Sequence, residues 1–293
     1  MDTPRSKLSV LVGVIAILLG CLVIVFLFWN YFTKTPDSVT VVVSVPLSLS
    51  TGRNIANGVT LAFEENNFMA GSVPITLQVL DDGDENGAWL PEKERANAEE
   101  AAQNLSVLAY IGPFNSGAAK VSMPILNYAG VAQISPGNTW PGLTKVGFTP
   151  GEPGIFYPTG VRHYVRVSPT DDLQGPAGAL WAKELGISHI YIVDDGEAYG
   201  AGIAALFRAE AKRLGLDVLG ERSLKGGSSE ISEIIAELKN LKPDLVYYGG
   251  ITPNGGPELL KGMREAGVMS TFMGPDGIFE TDFIERAGAA AEG

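Results

Sequence analysis

From Ser38 onward the chain alternates short β-branched runs with longer amphipathic stretches, and few folds accommodate that alternation. Val39 to Val45 reads as a first strand without a single charge. A helical pattern follows over Gly52 to Asn67, with Ile55, Val59, Ala62 and Phe63 on one face, and then a second strand over Ile75 to Leu80. Further strands are expected near Val107–Ile111, Val131–Ile134, His163–Val167, Ile190–Val193, Val218–Gly220 and Leu245–Tyr248. Helices are expected near Ala96–Leu105, Ser116–Tyr128, Leu173–Leu185, Gly200–Leu214, Glu230–Leu241 and Glu258–Ala266. Strand-helix repetition implies parallel sheet covered by helices on both faces, with ligands beyond the carboxyl ends of the strands. Gly147 to Gly160, carrying Pro150, Pro153 and Pro158, lacks any periodicity and reads as a surface excursion that shapes the mouth of a cleft.

The N-terminus has a different character. Leu8 to Trp29 is an apolar run of 22 residues, long enough to cross a hydrocarbon core of about 30 Å as a helix. Arg5 and Lys7 precede it, so the positive-inside tendency leaves the short N-terminus in the cytoplasm and sends everything after Lys34 outside. Residues 1–37 are therefore expected to be a transmembrane anchor and linker, with export after signal cleavage as the alternative. Leu18-Leu19-Gly20-Cys21 resembles a lipidation motif, but the apolar run continues past it. The lone Cys21 excludes an intrachain disulfide and any multi-cysteine metal site. With 33 acidic against 21 basic residues, the chain lacks the basic excess of a nucleic-acid surface.

Two loops carry the most suggestive chemistry: Gly112-Pro113-Phe114-Asn115-Ser116-Gly117 and Ser135-Pro136-Gly137-Asn138-Thr139. Each follows a short apolar strand and combines a hydroxyl with glycine-freed backbone. Ser116 is expected at the N-cap of its helix, where unpaired N–H groups and the positive dipole end favour an anion, and Thr139 offers similar chemistry. Taken alone, these are equally a capping serine and a turn. Other patterns are decoys. Asp82-Gly83-Asp84-Glu85-Asn86-Gly87 imitates the start of a calcium loop, yet Lys93 stands at its twelfth position. Gly200-Ala201-Gly202-Ile203-Ala204-Ala205 imitates a dinucleotide fingerprint, but it starts six residues past its strand, with Asp194 and Asp195 between them to repel a pyrophosphate. His163 and His189 have no evident nucleophile or metal-ligand neighbour. No enzyme chemistry, cofactor or metal site is expected.

These loops, together with Asp171-Asp172-Leu173-Gln174-Gly175-Pro176, Asp194-Asp195-Gly196-Glu197-Ala198-Tyr199-Gly200, Val246-Tyr247-Tyr248-Gly249-Gly250 and Phe272-Met273-Gly274-Pro275-Asp276-Gly277, fall in a distinctive order and spacing. From Ser38 to Gly293 the chain resembles the leucine/isoleucine/valine-binding proteins, extracytoplasmic receptors of ATP-driven amino-acid importers. The resemblance implies an α/β fold of type I periplasmic-binding-protein kind, with two doubly wound parallel-sheet lobes at 38–168 and 169–293. It also implies that the chain stops before a return to the first lobe, so both lobes are expected to be incomplete. By the same resemblance Ser116 and Thr139 donate to a ligand carboxylate. The Gly137 carbonyl, Thr139 hydroxyl and Asp276 accept from its ammonium, Tyr199 closes from the second lobe, and Asn138 and Asp171 are further ligand candidates. The implied partners are a free amino acid or small amide and the permease subunits of an ABC importer. A sensor module of a membrane receptor is the alternative, and a dinucleotide-dependent enzyme a more distant one. Ile251 and Thr51 replace aromatics common in that family, Asp276 replaces a longer glutamate, and Asn115 replaces a disulfide cysteine, so leucine specificity does not transfer.

Overall fold

The computed structural model describes residues 15–26, 28–29, 37–225 and 228–292. Strand β1 (Val39–Val45) runs parallel between β3 (Val73–Asp81) and β4 (Val107–Ile111) and is buried from Thr40 onward. A strand paired on both edges and covered on both faces has no solvent-facing side, which is why it is valine-rich rather than alternating. Val42 packs with Ala98 and Ala101 of α2 (Pro91–Gln103) and Leu126 of α3 (Ser116–Ala129). Val43 and Val45 point the opposite way, toward Ile55, Ala56 and Val59 of α1 (Ser50–Glu64). Strands β5 (Ala132–Ser135) and β6 (Tyr164–Arg166) extend the sheet in parallel, while β2 (Met69–Ala70) adds an antiparallel edge, giving the order β2-β3-β1-β4-β5-β6.

A second sheet repeats the plan with four parallel strands, β7 (His189–Asp194), β8 (Asp217–Ser223), β9 (Leu245–Gly249) and β10 (Thr271–Met273), in the order β10-β9-β7-β8. One face packs on α4 (Asp171–Glu184) and α5 (Ala198–Arg213), where Phe207 stacks on Tyr247 at 3.7 Å between ring centroids. The other packs on α6 (Ser228–Leu241) and α7 (Gly256–Glu265), and α8 (Thr281–Ala287) lies against α7. In each sheet the chain leaves a central strand toward one side and returns on the other, from β1 to β3 then β4 and from β7 to β8 then β9. Loops at such a reversal diverge and leave a crevice at the carboxyl edge.

The two halves touch. The Trp140 ring lies so close to α5 that a side chain on Gly202 would start 2.4 Å from its Cζ3. Trp140 is held there by its Nε1 donating to Glu152 at 2.8 Å, by an edge contact with Phe148 and by the Lys120 ammonium over its ring. Glu152, Phe148 and the nearby Phe156 and Tyr157 belong to the proline-rich excursion, which is thus packed onto α3 and supports an interhalf contact. Nearby, the Ser50 N–H donates to Asp282 at 2.8 Å and the Thr51 hydroxyl to Glu280 at 2.6 Å, so carboxylates of the second half meet the unpaired N-terminus of α1.

A buried carboxyl ties the strands together behind the first crevice. Glu94 of α2 accepts from Ser44 of β1 at 2.7 Å and from Tyr110 of β4 at 3.0 Å. Burial, with the neighbouring Asp82 adding, pushes the Glu94 carboxyl well up, and burial with Asp81 pushes Asp82 up as well.

Several expectations need correction. The helix expected from Ala96 starts at Pro91, because proline at the first helical position lacks only an N–H that has no partner there. Strands β2 and β10 and the helix α8 fall outside the sequence expectations, being too short for a periodic signal. Asn115, not Ser116, is the N-cap of α3. The apolar run Leu8–Trp29 lies partly outside the described residues. Its described residues, 15–26 and 28–29, are helical and exposed, and among the described residues no helix is long and apolar enough to cross a membrane.

Gly202→Val should drive α5 away from Trp140 while leaving both sheets intact. Small-angle scattering is expected to show a larger radius of gyration than the native chain, with unchanged far-UV circular dichroism.

Candidate functional site

The loops at the two carboxyl edges close over a narrow cleft of about 20 Å³, lined by Phe114, Asn115, Ser116, Gly137 and Thr139 from the first half and Tyr199, Ile251, Asp276 and Gly277 from the second. Ser116 organises one wall. Its Oγ accepts from the Thr139 N–H at 3.3 Å and the Trp140 N–H at 3.2 Å, which locks the β5 loop onto the start of α3. With two donors on that oxygen, the hydroxyl proton has to point elsewhere, leaving Ser116 able to donate into the cleft. The first intrahelical bond of α3 runs from the Ala119 N–H to Asn115, so the N–H groups of Ser116, Gly117 and Ala118 have no partner among the described residues. Three unpaired N–H groups at a positive dipole end, joined by a hydroxyl, are an arrangement that suits an anion.

Gly137 brings bare backbone to the wall. A Cβ there would sit 2.6 Å from the Phe114 ring, so only glycine allows this approach. Opposite, the Tyr199 hydroxyl donates to Asp276 Oδ1 at 2.7 Å and accepts the Gly277 N–H at 3.1 Å, which fixes the direction of the carboxylate. Burial and then the Asp276 charge hold the Tyr199 phenol well above its ordinary range, so it stays protonated.

Asp171 stands behind Thr139, joined by its N–H to the Thr139 carbonyl at 3.0 Å, and is fully buried with neither carboxyl oxygen in a formed hydrogen bond. Burial first, and then the Asp276 charge, push its carboxyl up to about 8, against the pull of the Thr139 hydroxyl and Arg166. The guanidinium is itself directed to the carbonyls of Trp140 and Asn138, at 2.8 and 3.3 Å. The first-half wall therefore gathers donors, and two acids, Asp171 behind that wall and Asp276 opposite it, have no lysine or arginine paired with them among the described residues.

Five of the seven residues singled out from sequence, Ser116, Gly137, Thr139, Tyr199 and Asp276, line this one cleft. Asp171 sits behind the wall. Asn138 does not face the cleft: its amide donates to the Pro113 and Phe114 carbonyls at 3.0 and 2.8 Å and accepts from Tyr164 at 2.9 Å, which makes it an internal brace. The acidic 82–87 loop already holds a cation of its own, since the Lys93 ammonium reaches Asp81 at 2.9 Å and the Gly83 carbonyl. Sequence reasoning assigned no binding role to Phe114 or Asn115, although both lie inside the glycine-bounded loop it had marked.

A family profile for periplasmic binding proteins matches residues 39–293. The chain belongs to the periplasmic binding protein family. Among this family's members, an amino acid binding protein of Pseudomonas aeruginosa is 28% identical over 242 residues, covering 82% of this chain and 60% of the relative. A Leu/Ile/Val-binding protein of Rhizobium johnstonii is 28% identical over 245 residues, covering 83% and 61%. The chain thus spans about three fifths of the length of these curated relatives. In fold it is similar to the crystal structure of a leucine binding protein from Thermotoga maritima, with a TM-score of 0.74 at 24% identity over 87% of this chain and 68% of that one.

The raised Asp171 carboxyl has a definite consequence for stability. Unfolded, the group titrates near its ordinary 3.8, so between about pH 4 and pH 8 the folded protein retains a proton that the unfolded chain releases. Its contribution is full at low pH and is lost as pH rises through about 8. Asp171→Asn should stabilise the ligand-free protein by about 2–4 kcal/mol at pH 8 and by little at pH 4, as read from urea unfolding at the two pH values.

Proposed function

We propose that this protein is the extracytoplasmic substrate-binding component of an amino-acid ABC importer, and that it binds a free amino acid between its two halves. The observation that carries this reading is the lining of the cleft, with the α3 N-terminus, Ser116 and Thr139 on the first-half wall, Asp171 behind that wall and Asp276 facing it from the second half. A zwitterion needs that pattern: donors for a carboxylate and anions or carbonyls for an ammonium, both screened from water. In this reading Ser116 anchors the carboxylate, the Gly137 carbonyl, Thr139 and Asp276 hold the ammonium, and Asp171 supports them from behind. Phe114 and Ile251 receive the side chain. The names of the relatives, an amino acid binding protein and a Leu/Ile/Val-binding protein, support the same ligand class.

The role is binding rather than catalysis. The halves, 38–168 and 169–293, close on the ligand, and the closed form is the one the importer's permease recognises. Leu8–Trp29 tethers the folded part to the outer side of the cell membrane, which protease treatment of intact cells tests. Digestion of the 38–293 portion with retention of a membrane-bound N-terminal stub is expected, and release of that portion as soluble protein would contradict the tether.

Calorimetric titration with free amino acids, and with their decarboxylated and deaminated analogues, tests the ligand assignment. Asp276→Ala should cost about 2–5 kcal/mol of binding, because a desolvated ammonium loses its partner. Ser116→Ala should cost nearer 1–3 kcal/mol, since backbone donors remain. Tight binding of an analogue without the amino group would overturn the reading.

A further inference from the structure

Asn115 occupies the N-cap of α3 in the extended conformation usual for a cap, with φ −83° and ψ 136°, and it is of the residue type that caps best. Yet its side chain makes no capping bond. The residue is 8% exposed, lines the cleft, and neither end of its amide has a hydrogen-bond partner among the described residues, the Oδ1 being fully buried. A capping amide turned away from its helix frees the α3 N–H groups for an anion. It also leaves a buried carbonyl with no partner among the described residues, an arrangement that folded proteins keep only where something else completes it.

Resting on the zwitterion reading, we infer that Asn115 selects the ligand side chain, and that the cleft takes an amino acid bearing a carboxamide or hydroxyl in preference to its apolar isostere. The assignment follows by chemistry. The ligand carboxylate has no proton to give the Asn115 oxygen, and the ammonium already has Thr139, Gly137 and Asp276 as acceptors. The side chain is the remaining source of a donor. Phe114 and Ile251 supply the apolar part of the lining, and beside them one small polar group is accommodated rather than a charge. A carboxamide satisfies both ends of the Asn115 amide and a hydroxyl satisfies its oxygen. An apolar side chain of the same shape leaves the buried carbonyl unpaired, and sites built around a hydrogen bond reject such analogues strongly.

Two isosteric pairs give the test: asparagine against leucine and threonine against valine, each titrated calorimetrically into the full chain. The native protein should bind the polar member of at least one pair on the order of tenfold more tightly. Asn115→Leu should abolish or reverse that preference while leaving the loss caused by Asp276→Ala unchanged. Asn115→Ser, which keeps a good cap, should shrink the asparagine preference and decides the matter if Asn115→Leu does not fold. Leucine or valine binding as tightly as its polar isostere, or a preference unaltered by both Asn115 substitutions, would overturn this inference and leave the zwitterion reading standing. Failure of all four amino acids to bind would overturn both.

Discussion

The acceptance of two successive backbone N–H groups by a single serine oxygen is the constraint on which the cleft depends. The β4 and β5 strands are neighbours in the sheet, but their loops have no reason to keep a fixed relation beyond the last ladder bond. Ser116 supplies that relation by holding the Thr139 and Trp140 N–H groups. Asn138 reinforces it from the opposite side by gripping the Pro113 and Phe114 carbonyls. The N-terminal end of α3, the bare backbone at Gly137 and the Thr139 side chain are thereby presented as one rigid wall. Trp140, the next residue, carries the same fixation across to the second half.

Two carboxyl groups at the cleft have no paired cation among the described residues. Asp171 and Asp276 face a shared region, and the nearest guanidinium, Arg166, is directed to backbone carbonyls. Burial, which raises the Asp171 carboxyl to about 8, resolves the conflict by favouring its protonated form near neutrality. In the proposed receptor, an arriving ammonium would replace that proton, so charge neutralisation and ligand capture are the same event. The arrangement favours a positively charged group over a neutral isostere more strongly than a solvated carboxylate could.

Much of this was legible in the chain. Valine-rich β1 and the uniformly apolar β9 announce themselves because a central parallel strand has no face for water, and the helices between them follow from their apolar periodicity. Loops at strand ends were likewise visible through Gly112, Gly137 and Ser116. What sequence does not carry is direction. Nothing local separates Asn138, whose amide braces the neighbouring loop, from Asn115, which lines the cleft with its amide unpaired among the described residues, since both are asparagines in glycine-containing loops. The resemblance to a receptor family supplied Tyr199 and Asp276, whose 77-residue separation no spacing rule connects to one hydrogen bond. Pro91 was legible in principle as a helix start, but the weak apolar character of its first turn hid it. The pairing of Trp140 with Gly202 depends on how two halves meet, which no single element encodes.

That last contact also shapes the thermodynamics of the molecule. Where Trp140 lies on the bare backbone of Gly202, an indole face and a strip of α5 leave water together. Removal of apolar surface lowers heat capacity, whichever groups provide it. In a receptor that opens and closes at this seam, the heat-capacity change on binding is therefore larger in magnitude than the ligand's own apolar area accounts for. The excess measures the seam itself, so the temperature dependence of the binding enthalpy reads out how far the two halves move.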